Sequence, residues 1–117
     1  MSLIIEKGQF DGLNGALEDI RNKGLFPTTY ATDHATAAEL HWHTEDVVAY
    51  LIQGKTYFLD AEGQKHHLEP GDLVTVPART VHAEGDICEP LVMLIGLTEA
   101  LPMDRFLLPR DPAELQG

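Results

Sequence analysis

His41-Trp42-His43, and further along Pro70-Gly71-Asp72-Leu73-Val74-Thr75-Val76-Pro77 running on to His82, are the stretches that decide how this chain folds. Alternate residues of a β-strand point to the same side, so His41 and His43 offer two imidazoles to one point, and His82 can close on it from another strand. That is the geometry of a metal site; the plainer alternative is three histidines hydrogen-bonded in a polar barrel mouth. Around these stretches the pattern reads as short strands over 28–32, 38–43, 47–53, 55–59, 65–68, 72–76 and 91–97. Turn residues separate them, among them Gln53-Gly54, Asp60-Ala61-Glu62-Gly63 and Glu69-Pro70-Gly71-Asp72. Short strands in this number predict an all-β sandwich or barrel closed on itself.

Before the strands, Leu13, Leu17 and Ile20 fall at helical spacing, which predicts a short helix over 13–23 with Asn14 available as a cap and Gly24 and Pro27 as its stop. After them, 98–117 reads as an arm whose Phe106, Leu107 and Leu108 need cover, from a partner subunit or from the flank of the same barrel. The 117 residues suit one domain with a barrel core over about 26–97.

Composition narrows the function classes. Nineteen acidic residues against eight basic ones give a net charge of −11, which repels phosphate backbones and anionic membranes, so neither nucleic acid nor a membrane surface is an expected partner. No apolar run approaches the roughly 18 residues of a membrane span. The opening Met1-Ser2-Leu3-Ile4-Ile5-Glu6 lacks a basic leader followed by a long apolar segment, so the expected location is cytoplasmic. The single cysteine, Cys88, excludes an internal disulfide and is expected as a small buried hydrophobe.

From His41 to Glu84 the chain resembles the cupin superfamily. The first cupin motif is matched by His41, His43 and Gly54; the second by Gly71, Pro77 and His82, with Arg79 standing where that motif has glycine. The resemblance implies a double-stranded β-helix, or jelly-roll barrel, with a short N-terminal helix, and a metal held by His41, His43 and His82.

One departure stands out. Where the first motif carries its metal-binding glutamate, this chain has Val47, or Val48 at the other permitted spacing. Asp46 is a substitute only if a bulge swings it inward, so a three-histidine set is expected. Three neutral imidazoles leave a divalent ion its whole +2 charge and favour an anionic ligand, and imidazole suits iron, nickel, zinc or copper. Similarity to three-histidine cupin dioxygenases implies, if the chain is an enzyme, a mononuclear metal-dependent oxidoreductase acting on a small anionic or enolisable molecule. The alternatives are a non-enzymatic module that binds or senses a small ligand, and a metal-free cupin of the isomerase or epimerase kind.

For proton chemistry the nearest residues are Glu84, Tyr50 and Arg79, with Tyr57 and Asp86 beside them. Glu84 shares the strand face of His82 and could orient a ligand histidine or act as a base. Arg79 could steer an anion inward. His66 and His67 are adjacent, so at most one faces inward, and His34 is expected to be exposed. Trp42 should face away from the histidines, against the helix or a second subunit, and a homodimer is the expected assembly.

Overall fold

The computed structural model describes residues 2–100 and 109–115. In chain order its elements are β1 (Ile4–Glu6), α1 (Gly12–Asn22), β2 (Phe26–Thr32), β3 (Val47–Gln53), β4 (Thr56–Leu59), β5 (Lys65–Leu68), β6 (Leu73–Val76), β7 (Ala83–Glu84) and β8 (Leu91–Leu97), followed by a 3-10 turn over Pro112–Glu114. Two antiparallel sheets result: five strands in the order β1-β6-β3-β8-β2, and three in the order β5-β4-β7. This is the jelly-roll arrangement expected from the short, turn-punctuated strands.

The centre of the large sheet shows why the strands read as they do. Along β3, Val47, Ala49 and Leu51 point into the space between the sheets, where they meet Phe58, Leu68, Val74, Val76, Ile87, Leu91, Met93, Ile95 and Leu97. The intervening Val48 and Tyr50 face the other way and join Ala16, Ile20, Leu73 and Leu94 beneath α1. Both faces are covered, so the strand is apolar throughout instead of alternating with polar residues.

The helix starts at Gly12 with Asp11 as its N-cap residue and without a side-chain cap, so Asn14 does not cap it. Its buried face is Ala16 and Ile20, while Leu13 and Leu17 of the expected stripe are exposed. Ile20 of that stripe is buried as expected, and Ala16 in place of Leu13 and Leu17 completes the face that meets the sheet. Gly24, at φ +70°, ends the helix and lets the Leu25 amide donate to the Ile20 carbonyl.

The expected strand over 38–43 forms only in part. Its regular pairing reduces to two isolated bridges, His41 with His82 and Trp42 with Arg110. The two-residue strand β7 was absent from the expected set, because Ala83–Glu84 is too short to give a period. Cys88 is exposed, which corrects its reading as a buried hydrophobe. The expected apolar cover of Phe106, Leu107 and Leu108 lies outside the described residues. Among the described residues no helix is long and apolar enough to cross a membrane.

Candidate metal centre

His41 and His82 are brought together by the backbone itself: the amide of each donates to the carbonyl of the other, at 2.8 and 2.9 Å. His43, two residues on, reaches the same point, with ring centroids 4.9 Å from His41 and 5.2 Å from His82. The three rings are nearly buried, at 7%, 8% and 2% exposure for His41, His43 and His82. A fourth residue joins them. Glu84 lies on β7 two residues beyond His82, and ligand atoms of His41, His43, His82 and Glu84 all fall within 4.8 Å of one another.

The hydrogen bonds around the cluster decide whether a cation fits. Nδ1 of His41 lies 2.7 Å from the Glu39 carbonyl, and Nδ1 of His82 lies 2.8 Å from the Thr80 carbonyl. A carbonyl only accepts, so both Nδ1 atoms carry hydrogen and, in the neutral rings, both Nε2 atoms present lone pairs. Those Nε2 atoms face the carboxylate of Glu84, at 3.4 Å from Oε1 for His41 and 3.0 Å from Oε2 for His82. Lone pair against carboxylate is repulsive unless a positive charge lies between them. Either the imidazoles are protonated or a cation sits there, and carbonyls behind Nδ1 are the arrangement that aims Nε2 at a metal.

Without a cation the protons take that role. Burial works to raise the Glu84 pKa, but hydrogen bonds from His41 and His82 outweigh it and bring the pKa down to about 2. The same contact with Glu84 raises the pKa of His41 against the opposing effect of desolvation. The Glu84 carboxylate thus stays charged beside the rings, and His41 holds a proton more readily than a free imidazole.

The other residues singled out from the sequence fall elsewhere. Asp46 is exposed, and its Oδ1 accepts from the Ala78 amide at 2.7 Å, so it does not replace the missing glutamate. Tyr50 is fully buried on the helix side of β3, donating to Asp19 at 2.7 Å, and its proximity to the site in sequence is undone by strand parity. Arg79 is exposed at φ +67°, which explains why a glycine suits that turn; its backbone amide donates to the His43 carbonyl at 2.9 Å. Tyr57 and Asp86 bond to each other at 3.1 Å. His66 pairs with Asp60 at 2.9 Å, and His34 and His67 are exposed.

Two hollows meet at the cluster. One, of about 280 Å³, is the barrel interior, walled by Val47, Ala49, Phe58, Val76, Ile87, Met93 and Ile95, with Thr29, Tyr30, Thr36 and Thr56 as its polar members and His43, His82 and Glu84 at its base. The second, of about 530 Å³, is a polar groove between Glu39, Leu40 and the segment 109–112, reaching His41, His43 and Glu84 from the other side.

Two antiparallel sheets around a cluster of three histidines and a glutamate define a double-stranded β-helix protein with a site able to hold a metal. The chain belongs to the cupin family: the model of the cupin domain matches residues 30–94, more than half of its length. Solved structures agree on the fold. A DUF861 family protein from Thermotoga maritima is 20% identical with a TM-score of 0.57, covering 81% of this chain and 98% of that one. The DMSP lyase DddQ from Ruegeria pomeroyi is 21% identical with a TM-score of 0.57 over 68% of this chain, which spans only 41% of the lyase. The polyketide cyclase RemF from Streptomyces resistomycificus is 18% identical with a TM-score of 0.55, over 77% of this chain and 66% of the cyclase. No curated protein matches the chain significantly in sequence.

Glu84, read from the sequence as a residue that orients a ligand histidine or acts as a base, stands within ligand distance of the three histidines. The signal was present in His82-x-Glu84, which repeats the alternation of His41-x-His43, beside a first motif lacking its carboxylate. The carboxylate beside the three rings comes from β7, two residues past His82, and not from the first motif.

Proposed function

We propose that this cupin is a metal-dependent oxidoreductase of the dioxygenase kind. A divalent transition ion is held by His41, His43, His82 and Glu84, and the ligand is a small, largely apolar molecule with one oxygen-donor head, such as an enolate or a carboxylate. When bound, such an ion supplies Lewis acidity and redox chemistry. The residues do the rest: the imidazoles are aimed by the Glu39 and Thr80 carbonyls, Glu84 lowers the charge of the centre from +2 to +1, and the barrel wall excludes water from the ligand's apolar body.

One observation carries this reading: four ligand atoms converge, and three of their residues, His43, His82 and Glu84, line a cavity whose described lining holds no other acid or base apart from Tyr30. A wall so poor in proton-transfer groups favours chemistry centred on the ion. The second reading is elimination or isomerisation with Tyr30 as the base; it draws on Tyr30 in the lining and on neighbours described as a DMSP lyase and a mannose-6-phosphate isomerase.

The test is elemental analysis of freshly purified wild type beside His43→Ala and Glu84→Gln. Wild type should carry about one equivalent of a transition metal, His43→Ala should lose it, and Glu84→Gln should bind at least about tenfold more weakly. Equal metal content in all three defeats the site. Oxygen uptake with a panel of small β-dicarbonyl and 2-oxo acids then separates the chemistries: turnover without oxygen consumption favours the second reading, and saturable binding without turnover makes the protein a ligand-binding module.

A further inference from the structure

The His-x-His segment is weakly framed by the barrel, and the end of the chain makes up the difference. His41 bridges to His82 on one side. On the other side Trp42 bridges to Arg110: the Trp42 amide donates to the Arg110 carbonyl at 3.1 Å, and the Arg110 amide donates back at 2.8 Å. Residues 41 and 42 therefore form the middle rung of a three-part ladder whose outer members are 82 and 110. Three further contacts lock the last member in place. The indole Nε1–H of Trp42 donates to the Asp111 carbonyl at 2.9 Å, the Arg110 guanidinium lies 5.8 Å from the indole centroid, and Asp111 and Glu114 close a capping box over the turn at Pro112–Glu114. Covered in this way, Trp42 is only 7% exposed although its side chain points away from the histidines. Neither the helix nor a second copy is needed to bury it.

We propose that the segment 109–114, acting through Trp42, is a positioning element of the metal centre: it fixes the backbone from which the imidazoles of His41 and His43 are hung. This inference rests on the metal-binding reading above and extends it to residues that touch no ligand atom. The physical reason is tolerance. A coordination set works only when its ligands are held within about 0.5 Å of their places, and a segment held by two isolated bridges and single bonds from Ala38 to Glu84 and from Arg79 to His43 lacks the long ladder that a regular strand would supply. Losing the Arg110 bridge leaves Trp42 without its cross-strand partner and lets the plane of the His-x-His segment tilt. Arg110 also walls the polar groove that reaches the cluster, so the same element shapes that approach.

The chain contains one tryptophan, and it stands between two of the candidate ligands. Its fluorescence therefore reports both on the clamp and on a quenching ion such as Co²⁺. The decisive pair of full-length variants is Arg110→Pro, which removes the amide that donates to the Trp42 carbonyl, and Arg110→Ala, which keeps that amide and loses only the side chain. Titrated with Co²⁺ and followed by Trp42 quenching and by the visible ligand-field bands of bound Co²⁺, Arg110→Pro should bind about 10- to 100-fold more weakly than wild type, with altered bands. Arg110→Ala should stay within about threefold of wild type and keep its bands, as expected when an outer contact is lost but the bridge remains. Trp42→Phe, which removes the indole bond to Asp111 together with the fluorophore, is followed by the ligand-field bands alone and should fall between them. If Arg110→Pro lowers only the melting temperature and leaves the Co²⁺ affinity and bands of wild type, the segment merely covers the barrel and the inference is overturned. If wild type itself takes up no Co²⁺, the metal reading fails and the clamp fails with it.

Discussion

The two faces of β3 are made from one uninterrupted run of residues and do opposite work. On the helix side, Val48 and Tyr50 pack with Ala16 and Ile20 of α1 in one buried cluster, and even the Tyr50 hydroxyl is matched to Asp19, a contact that with burial pushes the tyrosine pKa upward. On the barrel side, Val47 and Ala49 border a cavity of about 280 Å³ that ends at the histidine cluster. The first face is filled to stabilise the fold; the second is left open for a ligand. Burial alone does not tell them apart, since Ala16 and Ala49 are 0% and 2% exposed.

The difference can be broken from the filled side. Tyr50→Ala should destabilise the protein by about 3–5 kcal/mol in urea unfolding, the usual cost of emptying an aromatic site that cannot collapse, with metal uptake by the folded fraction unchanged. A loss under about 1 kcal/mol would mean that the helix layer is not the rigid one. A matched pair sharpens the contrast. Ala16→Leu forces methyl groups into a filled layer and should cost about 1–3 kcal/mol, whereas Ala49→Leu enters the cavity and should cost less than about 1 kcal/mol while weakening ligand binding. Equal losses for the two leucines would erase the distinction between the faces.

At the edge of the same sheet, Asp72 ties β1 to β6 by accepting from Lys7 at 2.7 Å, the Gly8 amide at 2.9 Å and the Glu69 amide at 2.8 Å. Burial would raise its pKa, but Lys7 and the two amides more than offset that and hold it below the ordinary carboxylate value of 3.8. A depressed folded pKa means that this contribution is present above the unfolded pKa and lost as pH falls through the folded one. Wild type should therefore lose stability below about pH 4, and Asp72→Asn, weaker at pH 7 by about 1–2 kcal/mol, should show a flatter acid limb. Identical acid limbs would remove Asp72 from the account. The smallest effect is expected at the turn. Arg79→Gly relieves the positive φ while keeping the amide that holds His43, so it should be neutral or stabilising by up to about 1 kcal/mol, with no change in metal affinity.

The barrel and the three histidines were legible because both depend on local rules: alternation within a strand, and turns punctuated by glycine, proline and aspartate. What was not legible depends on contacts between distant residues. Tyr50 read as a catalytic candidate because both faces of β3 are apolar, so nothing within the strand marks which parity faces the cavity. Asp46 is the substitute that proximity in sequence suggests for the missing carboxylate; Glu84 reads only as an orienting residue or base, because its place beside the rings depends on the pairing of β7 with β4. The covering of Trp42 depends on residues at the far end of the chain, beyond any local period. Arg79 drew notice as a charge, and its structural contribution is that of a backbone amide.

Gly85, next to Glu84, lines the barrel cavity, and a Cβ built there would lie 2.4 Å from the Tyr57 ring. The wall beside the carboxylate is therefore barred to any side chain unless that aromatic ring moves. A laboratory effort to reshape what the barrel admits has to work from the opposite wall, at Thr29, Ala49 or Met93, and leave the carboxylate's neighbour as it is.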